Sequence, residues 1–407
     1  MTILQEELEG LVEPPREKTA PPVVLFATAV GVIITNLFAP QTMAGAIGGD
    51  FGLTASSSGL AATITLVGYS SGLFLLVPLA DIFENRKLVM RMLACAATAA
   101  TGIGLAPSTW LLFVLMFVLG AACSAIQILV PIAASMASPE SRGRVIGDVM
   151  GGLMVGILLA RPAASFLADL WGWRAFYFFS AGAIALLAVL LAVRLPERRP
   201  DRLHGYGALI ASLWHLLATE RVLRRRALSA ALVMAAFNLF WTSVAFLLQR
   251  SPFALDQTGI AVFALVGAGG AAVTPVVGRL SDRGLGGRVT IFSHVLMVLG
   301  FAVAAWAGSS NGAPTAVLLA FLGAGAVLLD VGVTGDQTVG RHAINHLRPE
   351  ARGRINGLFV GIFFIGGAVG SAASGFLWTA GGWPLTCLGG ALFGLAAFLF
   401  HVVTRRA

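Results

Sequence analysis

Residues 349–383 read PEARGRINGLFVGIFFIGGAVGSAASGFLWTAGGW, and residues 139–173 read PESRGRVIGDVMGGLMVGILLARPAASFLADLWGW. At a constant offset of 210 positions (139 to 349), the two stretches share a Pro-Glu pair, an Arg-Gly-Arg triplet, three glycines and a Gly-Trp pair. The matched positions are Pro139/Pro349, Glu140/Glu350, Arg142/Arg352, Gly143/Gly353, Arg144/Arg354, Gly147/Gly357, Gly151/Gly361, Gly156/Gly366, Gly172/Gly382 and Trp173/Trp383. The repeat predicts that this chain of 407 residues contains two copies of one structural unit.

The composition indicates the solvent in which these units fold. Residues are 57% hydrophobic and only 11% charged, and the mean hydropathy is +0.87. The interior of a water-soluble protein of this size could not bury so much apolar surface, so most of this surface is predicted to face lipid. The 49 glycines, many of them three residues from another small residue, suit helices that approach one another closely in a membrane.

Twelve apolar segments are each about long enough to cross a hydrocarbon core of roughly 30 Å. Because backbone polar groups in lipid need partners within their own segment, the segments are predicted to be helices and the fold to be all-α. The segments are Val23 to Ile47, Gly59 to Ala80, Leu88 to Leu105, Leu111 to Ala134, Val145 to Ala168, Ala175 to Val193, Leu228 to Leu248, Thr258 to Val277, Val289 to Ala307, Thr315 to Gly340, Leu358 to Thr379 and Leu385 to Val403.

The distribution of basic residues predicts the orientation of the chain. With a cytoplasmic N-terminus, all but three of the 27 Lys and Arg fall on the cytoplasmic side, the exceptions being Arg161, Arg174 and Arg250. This asymmetry follows the positive-inside rule and predicts an inner-membrane protein with both termini in the cytoplasm. The basic residues are scattered over short loops, so they do not indicate nucleic-acid binding.

The predicted domain organisation has two bundles joined by a polar break. Residues 1–22 form a cytosolic tail without a secretory signal, and residues 404–407 form a second tail. The two bundles are residues 23–194 and 227–403. Residues 195–226 form a cytoplasmic linker, in which helically spaced apolar residues predict an interfacial amphipathic helix or, alternatively, an unstructured segment. Its apolar residues are Leu209, Ile210, Leu213, Trp214 and Leu217.

A loop signature between the second and third segments of each half carries a family resemblance. The second copy runs from Gly278 to Gly284 as Gly-Arg-Leu-Ser-Asp-Arg-Gly, and the first keeps only its leucine and its aspartate, Asp81. With twelve segments and duplicated halves, this pattern resembles the major facilitator superfamily, and more narrowly its bacterial drug:proton antiporters and sugar-efflux exporters. The fifth segment departs from the antiporter signature because it keeps only Gly156, and Met116 stands near the position of a proton-linked arginine in many relatives.

The resemblance implies two pseudo-symmetric six-helix bundles around a central cavity, which rock to give alternating access. It also implies that the first, fourth, seventh and tenth helices line the path. A charge latch at the cytoplasmic gate would hold the outward-open state. The gating residues would be Asp81, Arg86, Lys87, Asp282, Arg283, Arg142 and Arg352; the alternative is that these charges only set the topology.

Four ionisable residues inside the predicted spans are candidates for proton coupling: Asp330, Arg161, Asp336 and Asp148. A charge within a span costs roughly 2.5–3.5 kcal/mol on insertion scales, so a partner, water or a function should offset it. Asp330 lies deepest in an apolar run, and Arg161 must find an anion, either Asp330 itself or a substrate. For Asp336 and Asp148, pairing with Arg341, Arg142 or Arg144 is the simpler interpretation.

Uncharged polar residues in the same helices outline a substrate cavity. An Asn-Leu-Phe triplet on the first helix recurs on the seventh, and a glutamine on the fourth recurs on the tenth. These residues are expected near the pseudo-twofold axis, although helix–helix adhesion explains each one alone equally well. The cavity candidates are Asn36, Gln41, Gln127, Asn238, Trp241, Thr242 and Gln337, with Tyr69 as a weaker one; His294 is expected to be a core residue.

These observations predict a proton-coupled exporter of a small amphipathic or drug-like compound. The sequence has no GxxxxGK[ST] phosphate loop, no metal-ligand spacing and no catalytic constellation, so no cofactor, metal or enzymatic activity is predicted. Cys95, Cys123 and Cys387 are expected to be buried. The expected partners are the substrate, protons and the bilayer, without an implied oligomer. The alternatives are a sugar or metabolite permease and a non-transporting membrane sensor.

Overall fold

The computed structural model describes residues 22–54, 57, 59–138, 140–197, 205–271, 273–309, 312–345, 347–348 and 351–406. Every regular element in these ranges is a helix, which confirms the all-α prediction. Several positions used in the sequence analysis lie outside the described residues, namely the tail residues 1–21, the polar start of the linker at 198–204, and Pro139, Pro349 and Glu350.

The N-terminal half contains six apolar helices, α1 to α6, within the described residues. They are α1 Val23–Phe51, α2 Leu60–Leu75 with a 3₁₀ turn at Val77–Asp81, α3 Asn85–Leu105, α4 Thr109–Met136, α5 Arg142–Trp171 and α6 Trp173–Arg194. Helix α4 is interrupted between its two pieces, Thr109–Cys123 and Ile126–Met136. A separate linker helix, Tyr206–Thr219, follows this half.

The C-terminal half repeats the arrangement with α7 to α12. They are α7 Arg221–Leu248, α8 in the pieces Gln257–Ala264 and Thr274–Asp282, α9 Gly286–Ser309, α10 Thr315–Asn345, and α11 and α12 within the continuous assignment Arg352–Arg406. Non-helical backbone at Gly381 and Gly382 divides α11 (352–380) from α12 (383–406). Gly382 has φ +62°, a conformation that a residue with a side chain rarely adopts.

Ten helices of the described residues are long and apolar enough to cross a membrane. Dividing Arg352–Arg406 at its glycines and joining the two pieces of α8 gives the twelve predicted spans. Helix α8 breaks where Gly267, Gly269 and Gly270 are followed by Pro275, because glycine and proline disfavour a continuous helix. Several other helices extend beyond their apolar segments; α7, for example, already begins at Arg221.

The same helix pairing in both halves confirms the internal repeat. Helix α1 packs on α5, and α7 packs on α11. A β-carbon at Gly156 would collide with the backbone of Gly31, and one at Gly370 would collide with that of Ala235. Small residues therefore let each pair of backbones touch directly.

One expectation about an individual residue needs correction. Cys123 and Cys387 are buried as predicted, but Cys95 is exposed, because it lies with Thr98 on the outer face of α3. In the linker helix Leu209 and Leu213 are buried, whereas Trp214 points outward with 74% of its surface exposed. The linker helix thus packs its leucines against the protein and leaves Trp214 on its outer surface.

Candidate functional site

A hydrogen-bonded chain of buried polar side chains crosses the seam between the two halves. Arg161 of α5 is only 3% exposed, and its Nε donates to Oε1 of Gln41 on α1 at 2.9 Å. Gln41 in turn donates through Nε2 to Oδ1 of Asn238 on α7. Arg161 is thus tied through one amide to the other half of the molecule.

Three aromatic rings enclose the guanidinium of Arg161. Its central carbon lies 4.5 Å from the ring centre of Trp241, 5.1 Å from Phe237 and 5.4 Å from Phe38. These distances suit cation–π attraction, which is stronger away from water. We call Arg161 and these three rings the arginine cage. Arg161 and Trp241 were predicted from the sequence as site residues, whereas the two phenylalanines were not.

Two polar groups on this face of α5 lack a hydrogen-bond partner in the described part of the chain. They are Nη2 of Arg161 and the hydroxyl of Ser165, one turn away, and both atoms are buried. A buried donor without an acceptor costs free energy, so this face of α5 is suited to receive an acceptor from a bound compound.

Asp330 of α10 lies on the other side of Trp241. It is 5% exposed, and its Oδ1 accepts a hydrogen bond from Nε1 of Trp241 at 3.0 Å. The break in α8 covers it closely, since a β-carbon at Gly270 would lie 2.7 Å from that of Asp330. Among the described residues Asp330 forms no direct salt bridge with Arg161, so the indole of Trp241 mediates between the two charged groups.

A cavity of about 320 Å³ opens between α2, α4, α11 and the linker helix, at the end of the molecule that carries the α2–α3 and α4–α5 loops. We call this the basic end and the other the opposite end. Gln127 lines the cavity, donates to the Tyr69 hydroxyl and accepts from the Asn356 amide, each at 3.4 Å. Polar groups of both halves therefore meet at its wall.

A layer of aromatic rings stands between this cavity and the arginine cage. The ring centre of Phe364 lies 4.8 Å from that of Tyr69 and 6.2 Å from that of Phe38. Tyr69 contacts the cavity residue Gln127, whereas Phe38 belongs to the cage. The two polar regions are thus separated by apolar side chains.

The remaining cavity candidates lie in different surroundings. Asn36, predicted to lie near the twofold axis with Asn238, accepts a hydrogen bond at 2.8 Å from Ser180 of α6. Thr242 of α7 approaches the Ser371 hydroxyl of α11 at 3.5 Å. Gln337 is half-buried in α10 and makes no side-chain hydrogen bond to another described residue.

Asp336 belongs to a second buried cluster rather than to the arginine cage. Its Oδ1 accepts from the Ser229 hydroxyl at 3.1 Å and lies 3.2 Å from Nε2 of His294. The expected pairing of Asp336 with a loop arginine is therefore replaced by a pairing with α7 and α9. Asp148 behaves as expected, because it lies on the surface 3.9 Å from Nε of Arg144.

At the basic end, no ion pair among the described residues joins two of the proposed gate residues. Asp282 contacts Nδ1 of His342 at 3.6 Å and Arg142 donates to the Ala134 carbonyl, while Asp81 forms no ion pair with a described residue. The described partners of Asp282 and Arg142 lie within the same half as the residues themselves. Arg86, Lys87, Arg283 and Arg352 are likewise absent from the ion pairs of the described chain.

Contacts between the halves close the opposite end. Thr258 of α8 donates to Oδ2 of Asp169 on α5 at 2.7 Å. A β-carbon at Gly59, the residue before α2, would lie 2.9 Å from the Ser371 carbonyl oxygen of α11. The described residues contain no group of three or more His, Cys, Asp or Glu side chains that could hold a metal ion.

Comparisons with known proteins agree with this architecture. The family model of the Major Facilitator Superfamily matches residues 23–337. The putative uncharacterized transporter YgaY of Escherichia coli is 36% identical over 394 residues, covering 96% of this chain and 97% of that protein. A chloramphenicol resistance protein of Streptomyces lividans is 27% identical over 64% of this chain and 67% of its own length.

Solved structures agree on the fold. The nucleoside transporter NupG superposes with a TM-score of 0.74 at 14% identity, over 94% of this chain and 99% of that chain. A bacterial homologue of the human lysosomal transporter Spinster, in an inward-facing and unoccupied conformation, gives a TM-score of 0.69 at 15% identity, over 96% of each chain. At these identities the likeness concerns the fold alone.

Proposed function

The chain belongs to the major facilitator superfamily of multi-pass membrane transporters, and we propose that it is a proton-coupled exporter of a small organic compound. The observation that carries the proposal is the arrangement of two buried ionisable groups on opposite halves. Arg161 belongs to the N-terminal half and Asp330 to the C-terminal half, with Trp241 in contact with both. Ionisable groups so deep in a membrane protein are costly unless they serve binding or proton transfer.

Trp241 offers a physical route for coupling. Its ring face holds the guanidinium of Arg161, while its Nε1 donates to Asp330. Protonation of Asp330 weakens this hydrogen bond, because a neutral carboxyl is a poorer acceptor than a carboxylate. The Trp241 indole is then freer to move, and its movement changes the contacts of a compound bound against the ring face. In this mechanism the proton and the substrate act on one shared side chain.

The surroundings of the cage suit an amphipathic substrate. Phe38, Phe237 and Trp241 present flat apolar surfaces, and the unpartnered Nη2 of Arg161 supplies one hydrogen-bond donor. The similarity to a chloramphenicol resistance protein supports export of drug-like compounds. With the basic end in the cytoplasm, the cavity of about 320 Å³ would admit substrate from the cell interior.

The direct test measures proton release from acidified inside-out vesicles. A panel of cationic, neutral and anionic organic compounds is added to vesicles that contain the wild type, Asp330→Asn or Asp148→Asn. The last variant is the matched control, because Asp148 is an exposed residue paired with Arg144 on the surface. We expect compound-dependent proton release in the wild type and the control, and its loss in Asp330→Asn.

Other outcomes would identify the alternatives. Undiminished proton release by Asp330→Asn would show that Asp330 is not the coupling carboxyl. Equilibration of labelled solutes without proton release in both forms would indicate a permease, such as one for a sugar or metabolite. A sensor would move neither protons nor solutes, and its function would survive Asp330→Asn and Arg161→Ala.

A further inference from the structure

A second cavity, of about 190 Å³, lies at the basic end between α7, α10 and α12, away from the arginine cage. Its polar lining consists of basic and hydroxyl-bearing side chains, and none of its lining residues is acidic. The lining residues are Val222, Arg225, Arg226, Ser229, Ala343, Phe400, His401 and Thr404.

The arginines of this region differ in their hydrogen-bond partners. Helix α7 begins with Arg-Val-Leu-Arg-Arg-Arg at residues 221–226. Arg224 donates to the Leu217 carbonyl at the end of the linker helix at 2.9 Å, and Arg226 donates to the Thr290 hydroxyl at 3.1 Å. Arg225 is half-buried in the cavity wall and forms neither a hydrogen bond nor an ion pair with any described residue. A guanidinium that is partly removed from water favours an anion as its partner.

The hydroxyl groups of the wall are already engaged. Ser229 donates to Asp336 at 3.1 Å, and Thr404 donates to the Phe400 carbonyl at 2.7 Å. The donors that remain for a ligand are therefore mainly the N–H groups of Arg225, because Arg226 already donates to Thr290 and is attracted by the Asp336 carboxylate behind Ser229. Two neighbouring guanidinium groups match the several acceptor oxygens of a phosphate better than they match a neutral ligand.

The surface beside the cavity indicates where such a phosphate comes from. Leu228 of α7 is 45% exposed and Leu399 of α12 is 52% exposed. Because α7 begins and α12 ends at the basic end, these leucines lie roughly 5–8 Å further into the membrane than Arg225 and Thr404, at 1.5 Å per residue. A basic recess above exposed apolar helix surfaces is the arrangement that binds lipid head groups between transmembrane helices.

We propose that this cavity binds the phosphate of an anionic phospholipid, with its acyl chains along Leu228 and Leu399. Arg225 is the principal contact and Arg226 the second. The site is separate from the arginine cage, so it does not depend on the proposed transport activity. Free inorganic phosphate shares the head-group chemistry but would not use the leucine surfaces.

The test uses the full-length protein in detergent, with lipid binding followed by native mass spectrometry and by the thermal unfolding midpoint. Phosphatidylglycerol, phosphatidylcholine and inorganic phosphate are titrated in separate arms. We expect saturable binding and stabilisation with phosphatidylglycerol only. Equal effects of phosphatidylcholine would overturn the charge-based site, and equal stabilisation by inorganic phosphate would overturn the assignment to a lipid.

Two variants and one control test whether lipid binding depends on this cavity rather than on basic residues in general. Arg225→Gln should weaken phosphatidylglycerol binding about fivefold, the effect of roughly 1 kcal/mol per basic residue near a membrane surface. Arg221→Gln is the charge-matched control, because Arg221 is exposed and lies outside the cavity. Ala343→Leu fills the cavity without changing its charge and should also weaken binding. Wild-type affinity in both Arg225→Gln and Ala343→Leu would refute the proposal.

Discussion

At the scale of single residues, the buried guanidinium of Arg161 has unusual surroundings for a positive charge. Arg161 has one neutral hydrogen-bond partner, Gln41, and three aromatic neighbours, but no direct carboxylate among the described residues. Desolvated cation–π contacts stabilise a guanidinium by about 2 kcal/mol or more each, but they supply no hydrogen-bond acceptor for its N–H groups. The unpartnered Nη2 therefore leaves a role for a group on the substrate.

This arrangement predicts that Arg161 acts in substrate binding. Arg161→Gln should raise the KM of the transported compound at least tenfold, since a hydrogen bond to a charged group contributes about 1.5–3 kcal/mol. Arg161→Lys should restore it only in part, because an ammonium lacks the planar fork. Initial transport rates over a range of substrate concentrations give KM and kcat separately.

The control for this prediction is Arg174→Gln. Arg174 is paired with Asp50 at the opposite end, so its loss should leave KM unchanged. Unfolding midpoints of all three variants would distinguish a binding defect from a folding defect. A wild-type KM in folded Arg161→Gln protein would contradict the assignment.

At the scale of helices, the apolar segments of the sequence predicted the number and order of the spans, since lipid imposes both length and composition. What they did not predict is which way each helix faces. Asn36 and Asn238 occupy equivalent triplets, yet Asn36 turns toward Ser180 while Asn238 joins Gln41 at the seam. The pairing of His294 with Asp336 was likewise missed, because helix rotation is decided by packing between distant segments.

Glycine packing between helices gives a second prediction. Gly370→Ala places a β-carbon against the Ala235 backbone and should destabilise the protein by about 1–3 kcal/mol, as overpacking does. Gly353→Ala, on the same helix with no neighbouring atom within 4 Å, should be neutral or slightly stabilising. In a Cys95→Ala background, which removes the exposed thiol, a thiol-reactive dye can follow unfolding on heating, because Cys123 and Cys387 are buried in the folded protein. Equal midpoints for the two variants would mean that α7 and α11 can separate freely.

At the scale of the whole molecule, the two ends differ in how the halves meet. The opposite end is closed by the contact between Thr258 and Asp169, whereas the basic end holds a cavity of about 320 Å³, and Asp81 there forms no ion pair with a described residue. Alternating access requires this relationship to reverse during transport. The sequence could suggest the latch residues from the family resemblance, but the conformation in which they meet depends on how the two halves are tilted.

Locking the opposite end should therefore stop transport reversibly. The Thr258 hydroxyl lies 2.7 Å from the Asp169 carboxylate, so cysteines at both positions are close enough to be joined by oxidation or a short bifunctional reagent. The double variant Asp169→Cys/Thr258→Cys should transport when reduced, lose at least nine-tenths of its rate on oxidation, and recover with reductant. Each single variant, treated identically, controls for the native thiols. If the cross-linked protein still transports as fast as the chemically reduced protein, the two halves need not separate at this end. Rocking of the two bundles would then not be the transport motion.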